Sequence, residues 1–171
     1  MEIFDLYDKH GQLLGKTMER GHHNQEGEYH LVTHIWIRNS KGQYLIQQRN
    51  KLTDEIPFQW ACTGGAVLAG ETSIEATIRE THEELGILLK AEDFIFLKRY
   101  VNTDPHANFL TDLYLIKKDI PLEDLKIDEI EVKDVAYHTM EEIEEMIAKE
   151  EFWDYKHRLQ RPDYFAVLEK S

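Results

Sequence analysis

The chain has 171 residues, of which 42% are hydrophobic, and its formal net charge is −13 at pH 7. This length suits one compact domain with a real core, so we expect residues 1–171 to form a single domain. The acidic balance excludes nonspecific binding to duplex nucleic acid or an anionic membrane, because that binding needs Lys and Arg to neutralise phosphates. The single cysteine, Cys62, excludes an internal disulfide, and a charged start without a long apolar run predicts a cytoplasmic protein.

Two hairpins are predicted in the first half of the chain. EIFDLYD and LLGKTME are separated by KHGQ, whose Gly11 suits a tight turn, so residues 1–27 are predicted to form an N-terminal β-hairpin. HLVTHIWIR and QYLIQQR flank NSKG and are rich in β-branched and aromatic residues. This composition predicts a second hairpin near the centre of a sheet.

Residues 72–85 change to a helical pattern. Thr72 and Glu75 form a capping-box sequence, and Gly86 suits the residue that ends a helix. Further strands are predicted at DFIFLKRYVN, FLTDLYLIKK and VKDVAYHT, followed by a capped helix over 139–151 and a last helix at YFAVLEK. Strands with helices interspersed indicate an α/β or α+β sandwich.

Three acids, Glu80, Glu83 and Glu84, crowd one side of the first helix. The opposite side should bury against a sheet and consists of Ile74, Ile78, Thr81 and Leu85. Two carboxylates about 4 Å apart repel by about 4 kcal/mol at an effective dielectric constant of about 20, and Arg79 supplies one positive charge against this repulsion. A divalent cation would offset the repulsion, and carboxylate oxygens suit Mg²⁺ or Mn²⁺.

A glycine-rich loop leads into this helix. Gly64, Gly65 and Gly70 allow the backbone to run close to the helix, where a carbonyl group can add a ligand for a metal. A solvated acidic surface is the usual explanation for a helix with several glutamates. The loop in front of the helix favours a metal site instead.

Residues 64–87 resemble the signature sequence of the Nudix hydrolases. That pattern is Gly, five residues, Glu, seven residues, Arg-Glu, an aliphatic residue, any residue, Glu-Glu, any residue, Gly and an aliphatic residue. The positions that match in register are Gly65, Glu71, Arg79, Glu80, Glu83, Glu84, Gly86 and Ile87. Thr81 departs from the pattern at an aliphatic position, where its methyl group is expected to face the core. The resemblance extends over roughly residues 28–150.

The resemblance implies an α/β/α sandwich around a mixed sheet, and hydrolysis of a nucleoside diphosphate derivative or a related diphosphate. By matched position it implies that Glu80, Glu83 and Glu84 bind Mg²⁺ or Mn²⁺, with the backbone carbonyl of Gly64 as a further ligand. The metal would neutralise phosphoryl oxygens and align water for attack at phosphorus. A glutamate, either Glu80 or Glu131, would accept the proton from that water.

Other charged residues have expected roles around the same substrate. Arg79 is expected to orient a carboxylate through a bidentate bond, and Glu71 to support the geometry between loop and helix. Arg49 and Lys51, at the end of the second hairpin, are candidates for contacts to the phosphates of a small-molecule diphosphate. Solvent-exposed charges without a role in binding are an equally good explanation for these two residues.

The upstream sequence also resembles the branch that contains isopentenyl-diphosphate isomerases. His23 and His30 match two metal-binding histidines of those isomerases. The isomerase cysteine, however, corresponds to Gly64, whereas Cys62 comes two residues earlier. The acidic pair on a later isomerase strand has at best one counterpart, Asp112. Diphosphate hydrolysis is therefore preferred, with an isomerase-like enzyme as one alternative and a non-catalytic nucleotide-binding sensor as another.

Besides His10 in the N-terminal hairpin, four histidines precede the glycine-rich loop: His22, His23, His30 and His34. His30 and His34 are four residues apart on a predicted strand, so they share one face. A hydrogen-bonded or substrate-contacting role is favoured for them over a second metal site. Substrate choice is expected to come from the loops at 19–29, 50–58 and 102–110, and the N-terminal hairpin allows pairing across a homodimer.

Overall fold

The computed structural model describes residues 1–50, 57–104 and 107–171. The strands in these ranges are β1 Ile3–Tyr7, β2 Leu13–Glu19, β3 His30–Arg38, β4 Gln43–Arg49, β5 Trp60–Ala61, β6 Thr63–Ala66, β7 Ile95–Asn102, β8 Phe109–Lys117 and β9 Val132–Thr139. The helices are α1 Ser73–Leu85, α2 Met140–Ala148 and α3 Tyr164–Glu169. No helix of the described residues has the length and apolar character needed to cross a membrane.

The strands form a hairpin and a mixed sheet, as predicted. β1 and β2 pair with each other in antiparallel fashion, and the other strands form a seven-stranded sheet with the order β5-β4-β3-β8-β7, to which β6 and β9 add at β3 and β4. β3 pairs in parallel with β8 and antiparallel with β4 and β6. β3 therefore lies inside the sheet, and its buried apolar residues belong to cores on both faces of the sheet.

Helices cover both faces of this sheet, which confirms the expected α/β/α sandwich. Successive residues of β3 point to opposite faces. Trp36 packs in one core together with residues of α2 and α3, whereas Ile35 packs in a second core together with Leu85 of α1. Trp36 is 0% exposed and is therefore a core residue.

The helix ends follow local capping chemistry in α1 and differ from the prediction in α2. The side chain of Thr72 accepts a hydrogen bond from the backbone of Glu75, and Gly86 ends α1 in the left-handed conformation, with φ 71°. α2 was expected to reach Glu151 but ends at Ala148. The prediction was wrong because Glu150 adopts a φ of 61°, which cannot continue a right-handed helix.

A partly buried ion pair between β7 and β8 lies under the turn of the N-terminal hairpin. Asp112 on β8 is 1% exposed, and its two carboxylate oxygens accept hydrogen bonds from Nε and Nη2 of Arg99 at 2.6 and 2.8 Å. Gly11 in the hairpin turn lies directly on this guanidinium group, since a Cβ atom there would lie 2.1 Å from Nη1 of Arg99. The turn therefore requires glycine both for its φ of 83° and for this close contact.

We predict that Arg99→Met lowers the free energy of unfolding by about 3 kcal/mol, because it leaves the buried Asp112 carboxylate without its partner. Lys118→Met is the matched control, because Lys118 pairs with Asp93 at the surface at 3.6 Å. The control should change stability by less than about 0.5 kcal/mol. Urea unfolding measures both variants, and equal losses would contradict a structural role for the buried pair.

Candidate active site

A pocket of about 880 Å³ lies along β3 and β6, between α1, the N-terminal hairpin and the segment after α2. The pocket is lined by most of the site residues predicted from the sequence: Arg49, Gly64, Glu80, Glu83, Glu84 and Glu131. Lys51 lies outside the described residues. The pocket therefore collects residues from distant parts of the chain around the end of the glutamate-bearing helix.

Two glycines in β6 allow this strand to lie close to β3 and to the Glu80 side chain of α1. A Cβ atom on Gly64 would lie 2.1 Å from the backbone oxygen of Thr33. A Cβ atom on Gly65 would lie 2.4 Å from the Glu80 carboxylate. Glycine at 64 thus permits the pairing of β6 with β3, and glycine at 65 lets the Glu80 carboxylate lie against the backbone.

Glu84 is a buried carboxylate, with only 7% of its surface exposed. Nε2 of Gln47 donates a hydrogen bond to it at 3.0 Å, and the backbone N–H of Gly64 also bonds to it. Both donors are neutral groups. Burial, followed by the nearby charge of Glu80, raises the pKa of Glu84 to about 8.

Arg79 donates hydrogen bonds to three carboxylates near the pocket, those of Glu71, Glu80 and Glu83. Its Nε and Nη2 donate to both oxygens of Glu71 at 2.7 and 2.9 Å, which is a bidentate contact. Its Nη1 donates to Glu80 at 2.9 Å and to Glu83 at 3.2 Å. Nη2 also donates to the Ala66 carbonyl, so a single side chain links α1 with the loop and with β6.

The carboxylate oxygens of Glu80, Glu83 and Glu84 are suitable ligands for a divalent cation, although their present positions do not form a coordination site. Among residues 1–50, 57–104 and 107–171, no group of three His, Cys, Asp or Glu side chains is placed to hold a metal. Glu80 and Glu83 turn toward Arg79, while Glu84 turns toward Gln47. Burial raises the pKa of Glu80 to about 7, so ionised oxygens in this pocket are energetically unfavourable without added positive charge. Carboxylates with this shortage of positive charge fit Mg²⁺ or Mn²⁺.

The four histidines do not form one cluster. His30 and His34 line the large pocket, whereas His22 and His23 line a separate surface depression beside the hairpin. The His30 ring stacks on Phe4 at 5.6 Å between ring centroids. Burial, with a further contribution from the Arg161 charge, lowers the pKa of His34 to about 3. His34 is therefore neutral at physiological pH.

The N-terminal hairpin adds Glu2 and Phe4 to the pocket lining, which no sequence pattern indicated, and Arg20, which lies in the loop 19–29 expected to affect substrate choice. Arg20 pairs with Glu2 and lies over the Phe4 ring at 5.1 Å. The segment after α2 adds a further wall, which includes Tyr155. These contacts join residues far apart in the chain, so no local pattern could have indicated them.

Cys62 is buried and contacts Tyr155. Its backbone N–H donates to Oη of Tyr155 at 3.1 Å, and its Sγ lies 3.1 Å from the same oxygen. Burial raises the pKa of the thiol to about 12. The thiol therefore stays protonated at neutral pH and is a poor nucleophile or metal ligand.

The chain belongs to the Nudix family, because a family model of the NUDIX domain matches residues 28–159. It is 39% identical over 156 residues to an uncharacterized Nudix hydrolase of Listeria monocytogenes, covering 91% of this chain and 90% of the relative. It is also 27% identical over 152 residues to an isopentenyl-diphosphate Delta-isomerase of Streptomyces avermitilis, covering 88% of this chain and 77% of the isomerase. These relationships identify a Nudix-type hydrolase.

Solved structures share the fold. A Deinococcus radiodurans protein superposes with a TM-score of 0.72 at 22% identity, covering 91% of this chain and 94% of that chain. The Nudix domain of Shewanella oneidensis NrtR, complexed with ADP ribose, has a TM-score of 0.60 at 14% identity, with coverages of 82% and 88%. A Francisella tularensis NMN adenylyltransferase/ADP ribose pyrophosphatase, complexed with AMP and Mn, has a TM-score of 0.62 at 18% identity, with coverages of 83% and 42%.

Stability of the metal-free protein should fall as pH rises from about 6.5 to about 8. In this interval Glu80 and Glu84, with folded-state pKa values of about 7 and about 8, retain protons that the unfolded chain has already lost. The lowered pKa of His34 acts in the opposite direction, but only below its ordinary value of 6.5. Glu84→Gln should remove its share of this decline and stabilise the metal-free protein near pH 8 by about 1 kcal/mol or more. Urea unfolding at both pH values with a chelator tests this, and an unchanged pH dependence would contradict it.

The two glycines of β6 should respond differently to alanine. Gly64→Ala should destabilise the fold strongly, because the new Cβ meets the backbone of Thr33, which cannot move aside. Gly65→Ala should keep nearly normal stability, since the flexible Glu80 side chain can rotate away, but it should lose most hydrolytic activity. Thermal unfolding together with an activity assay distinguishes the two, and an active Gly65→Ala enzyme would show that the position of Glu80 is unimportant.

Proposed function

We propose that this Nudix hydrolase uses Mg²⁺ or Mn²⁺ to cleave the diphosphate linkage of a nucleoside diphosphate derivative or a related small-molecule diphosphate. The observation that carries the proposal is the position of the buried Glu84 next to the largely covered Glu80 at the pocket, where the neutral groups of Gln47 and Gly64 donate hydrogen bonds to Glu84. The manganese and ADP ribose in two proteins of the same fold support this choice of metal and ligand class.

The carboxylates of Glu80, Glu83 and Glu84 would hold the cation, together with the backbone carbonyl of Gly64. When bound, Mg²⁺ or Mn²⁺ supplies positive charge that offsets these carboxylates and the phosphate oxygens of the substrate. Arg79 keeps its bidentate bond to Glu71 and thereby fixes the turn of α1 that carries the ligands.

Hydrolysis then requires one proton transfer and no covalent enzyme intermediate. The oxygen of water forms a bond to phosphorus, the bond between that phosphorus and the bridging oxygen breaks, and the departing phosphate keeps the electron pair. Glu80 or Glu131, both in the pocket, accepts the proton of the water. Arg49 lines the same pocket, where its charge can contact a phosphate oxygen, and we assign Lys51 the same role from its sequence position.

The pocket supports hydrolysis better than isomerisation. The thiol of Cys62 is buried against Tyr155, and the residue at the expected cysteine position is Gly64. Asp112, the nearest counterpart of the isomerase acidic pair, is held by Arg99. It lies on the face of β8 opposite to Phe109, which lines the pocket.

The test is the hydrolysis of a panel of nucleoside diphosphates, ADP ribose and isopentenyl diphosphate, with and without Mg²⁺ or Mn²⁺. Glu83→Gln and Glu84→Gln should reduce turnover of the best substrate by about 100-fold or more, equivalent to about 2.7 kcal/mol of transition-state stabilisation. Glu144→Gln on α2 is the control, because Glu144 is exposed and lies outside the pocket lining. Hydrolysis in water labelled with oxygen-18 should place the label in the phosphate product, because the water oxygen forms the new bond to phosphorus.

Other outcomes would support the alternatives. An isomerised product from isopentenyl diphosphate without phosphate release would identify an isomerase-like enzyme. Saturable binding of a nucleotide with no release from any compound would favour a sensor. Full activity in the presence of a chelator would contradict the metal requirement, and full activity of both Gln variants would contradict the ligand assignment.

A further inference from the structure

One histidine of the pocket has no part in the chemistry proposed above. His34 lies on β3 directly opposite Gly64 of β6, and it is partly exposed to the pocket. Its ring packs edge-on against Tyr155 at 4.8 Å and against Tyr164 at 5.9 Å between centroids. The ring is therefore held rigidly at the inner wall, beside the backbone expected to bind the metal.

Hydrogen bonds fix which ring nitrogen of His34 carries the proton. Oη of Tyr164 lies 2.9 Å from Nε1 of Trp36 and 2.8 Å from Nδ1 of His34. The indole N–H can only donate, so the tyrosine oxygen accepts that bond and gives its own proton to Nδ1. In the reverse arrangement the hydroxyl hydrogen of Tyr164, which is 0% exposed, would be buried without an acceptor.

The proton of the neutral ring therefore resides on Nε2. Among the described residues, the structure gives Nε2 of His34 no hydrogen-bond partner, and the exposed part of the residue faces the pocket. The carboxylates on the α1 side of the pocket are acceptors, as are the oxygens of a diphosphate. A fixed, uncharged N–H donor at the inner wall can donate a hydrogen bond to a diphosphate oxygen. Because it carries no charge, it does not form an ion pair with the glutamates.

We propose that Nε2–H of His34 donates a hydrogen bond to a diphosphate oxygen of the substrate and positions the diphosphate over β6, while Tyr164 and Trp36 maintain the required tautomer. The inference rests on the proposed function and adds a substrate-binding residue to it. Tyr164 belongs to α3, which lies beyond the residues 28–159 that match the Nudix family. His34 and Trp36 thus lie within the matched residues, and only Tyr164 lies outside them.

Heteronuclear NMR of nitrogen-15-labelled protein tests the tautomer directly, without metal or substrate. The His34 ring should show the pattern of a neutral Nε2–H imidazole, and Tyr164→Phe should shift it toward a mixture of tautomers. An Nδ1–H pattern in the wild-type protein would overturn the inference.

Calorimetric binding of two hydrolysis-resistant probes with Mg²⁺ tests the contact. Methylenediphosphonate contains only the diphosphate, and α,β-methylene-ADP adds a nucleoside. His34→Asn, whose amide can still meet Tyr164 but is too short for the pocket contact, should weaken both probes by about 10-fold or more. His34→Gln, which places an amide N–H near the Nε2 position, should stay within about 3-fold of wild type.

Tyr164→Phe should weaken both probes by about 3- to 10-fold, since it releases the ring without removing it. Tyr44→Phe is the matched control, because Tyr44 is an equally buried tyrosine of the same core whose hydroxyl donates to Glu169. It should bind both probes as the wild type does. Circular dichroism and urea unfolding confirm that each variant is folded.

Unchanged affinity of folded His34→Asn for methylenediphosphonate would overturn the inference, and so would weakening confined to α,β-methylene-ADP, which would place the contact on the nucleoside. The absence of binding of either probe to the wild type would also overturn it. Failure of the proposed function would appear separately, as a lack of metal-dependent hydrolysis across the panel while the His34 tautomer is as inferred.

Discussion

The site depends on the placement of two acidic side chains, the buried Glu84 and the largely covered Glu80, beside each other at the pocket. Burial raises the pKa of each carboxyl, and the nearby charge of Glu80 raises the pKa of Glu84 further. A fold that served stability alone would place neutral side chains there. The arrangement is understandable if the missing positive charge arrives with a divalent cation and an anionic substrate.

The surrounding structure holds those charges in place. Glycines at 64 and 65 bring β6 against β3 and against the Glu80 carboxylate. Arg79, anchored on Glu71, ties the glutamate-bearing turn to the preceding loop. His34, on the opposite wall, adds the neutral donor that we infer for the diphosphate. Under the proposed function, the cation held by the carboxylates and the His34 donor would contact the diphosphate from two sides.

Structural features that depend only on neighbouring residues could be predicted from the sequence. The capping box at Thr72, the glycine stop at Gly86, the hairpin turn at Gly11 and the register of the family signature require only neighbouring residues, and the structure bears out those elements. The end of α2 was missed because the left-handed conformation of Glu150 has no clear local signal.

Long-range contacts account for the rest of what the sequence left unpredicted. The burial of Glu84 depends on Gln47 from another strand, and the entry of Arg20 into the pocket depends on where the hairpin docks. The pairing of His34 with Tyr164 joins residues 130 positions apart. Periodicity along the chain does not encode such contacts, so they emerge only from the packed structure.

Anomalous diffraction from crystals soaked in Mn²⁺ tests the central claim most directly. We predict a manganese peak within coordination distance of the Glu80 and Glu84 carboxylates and of the Gly64 carbonyl, with Glu83 turned from Arg79 toward the ion. No peak in the pocket, with the carboxylates still hydrogen-bonded to Arg79 and Gln47, would contradict the account.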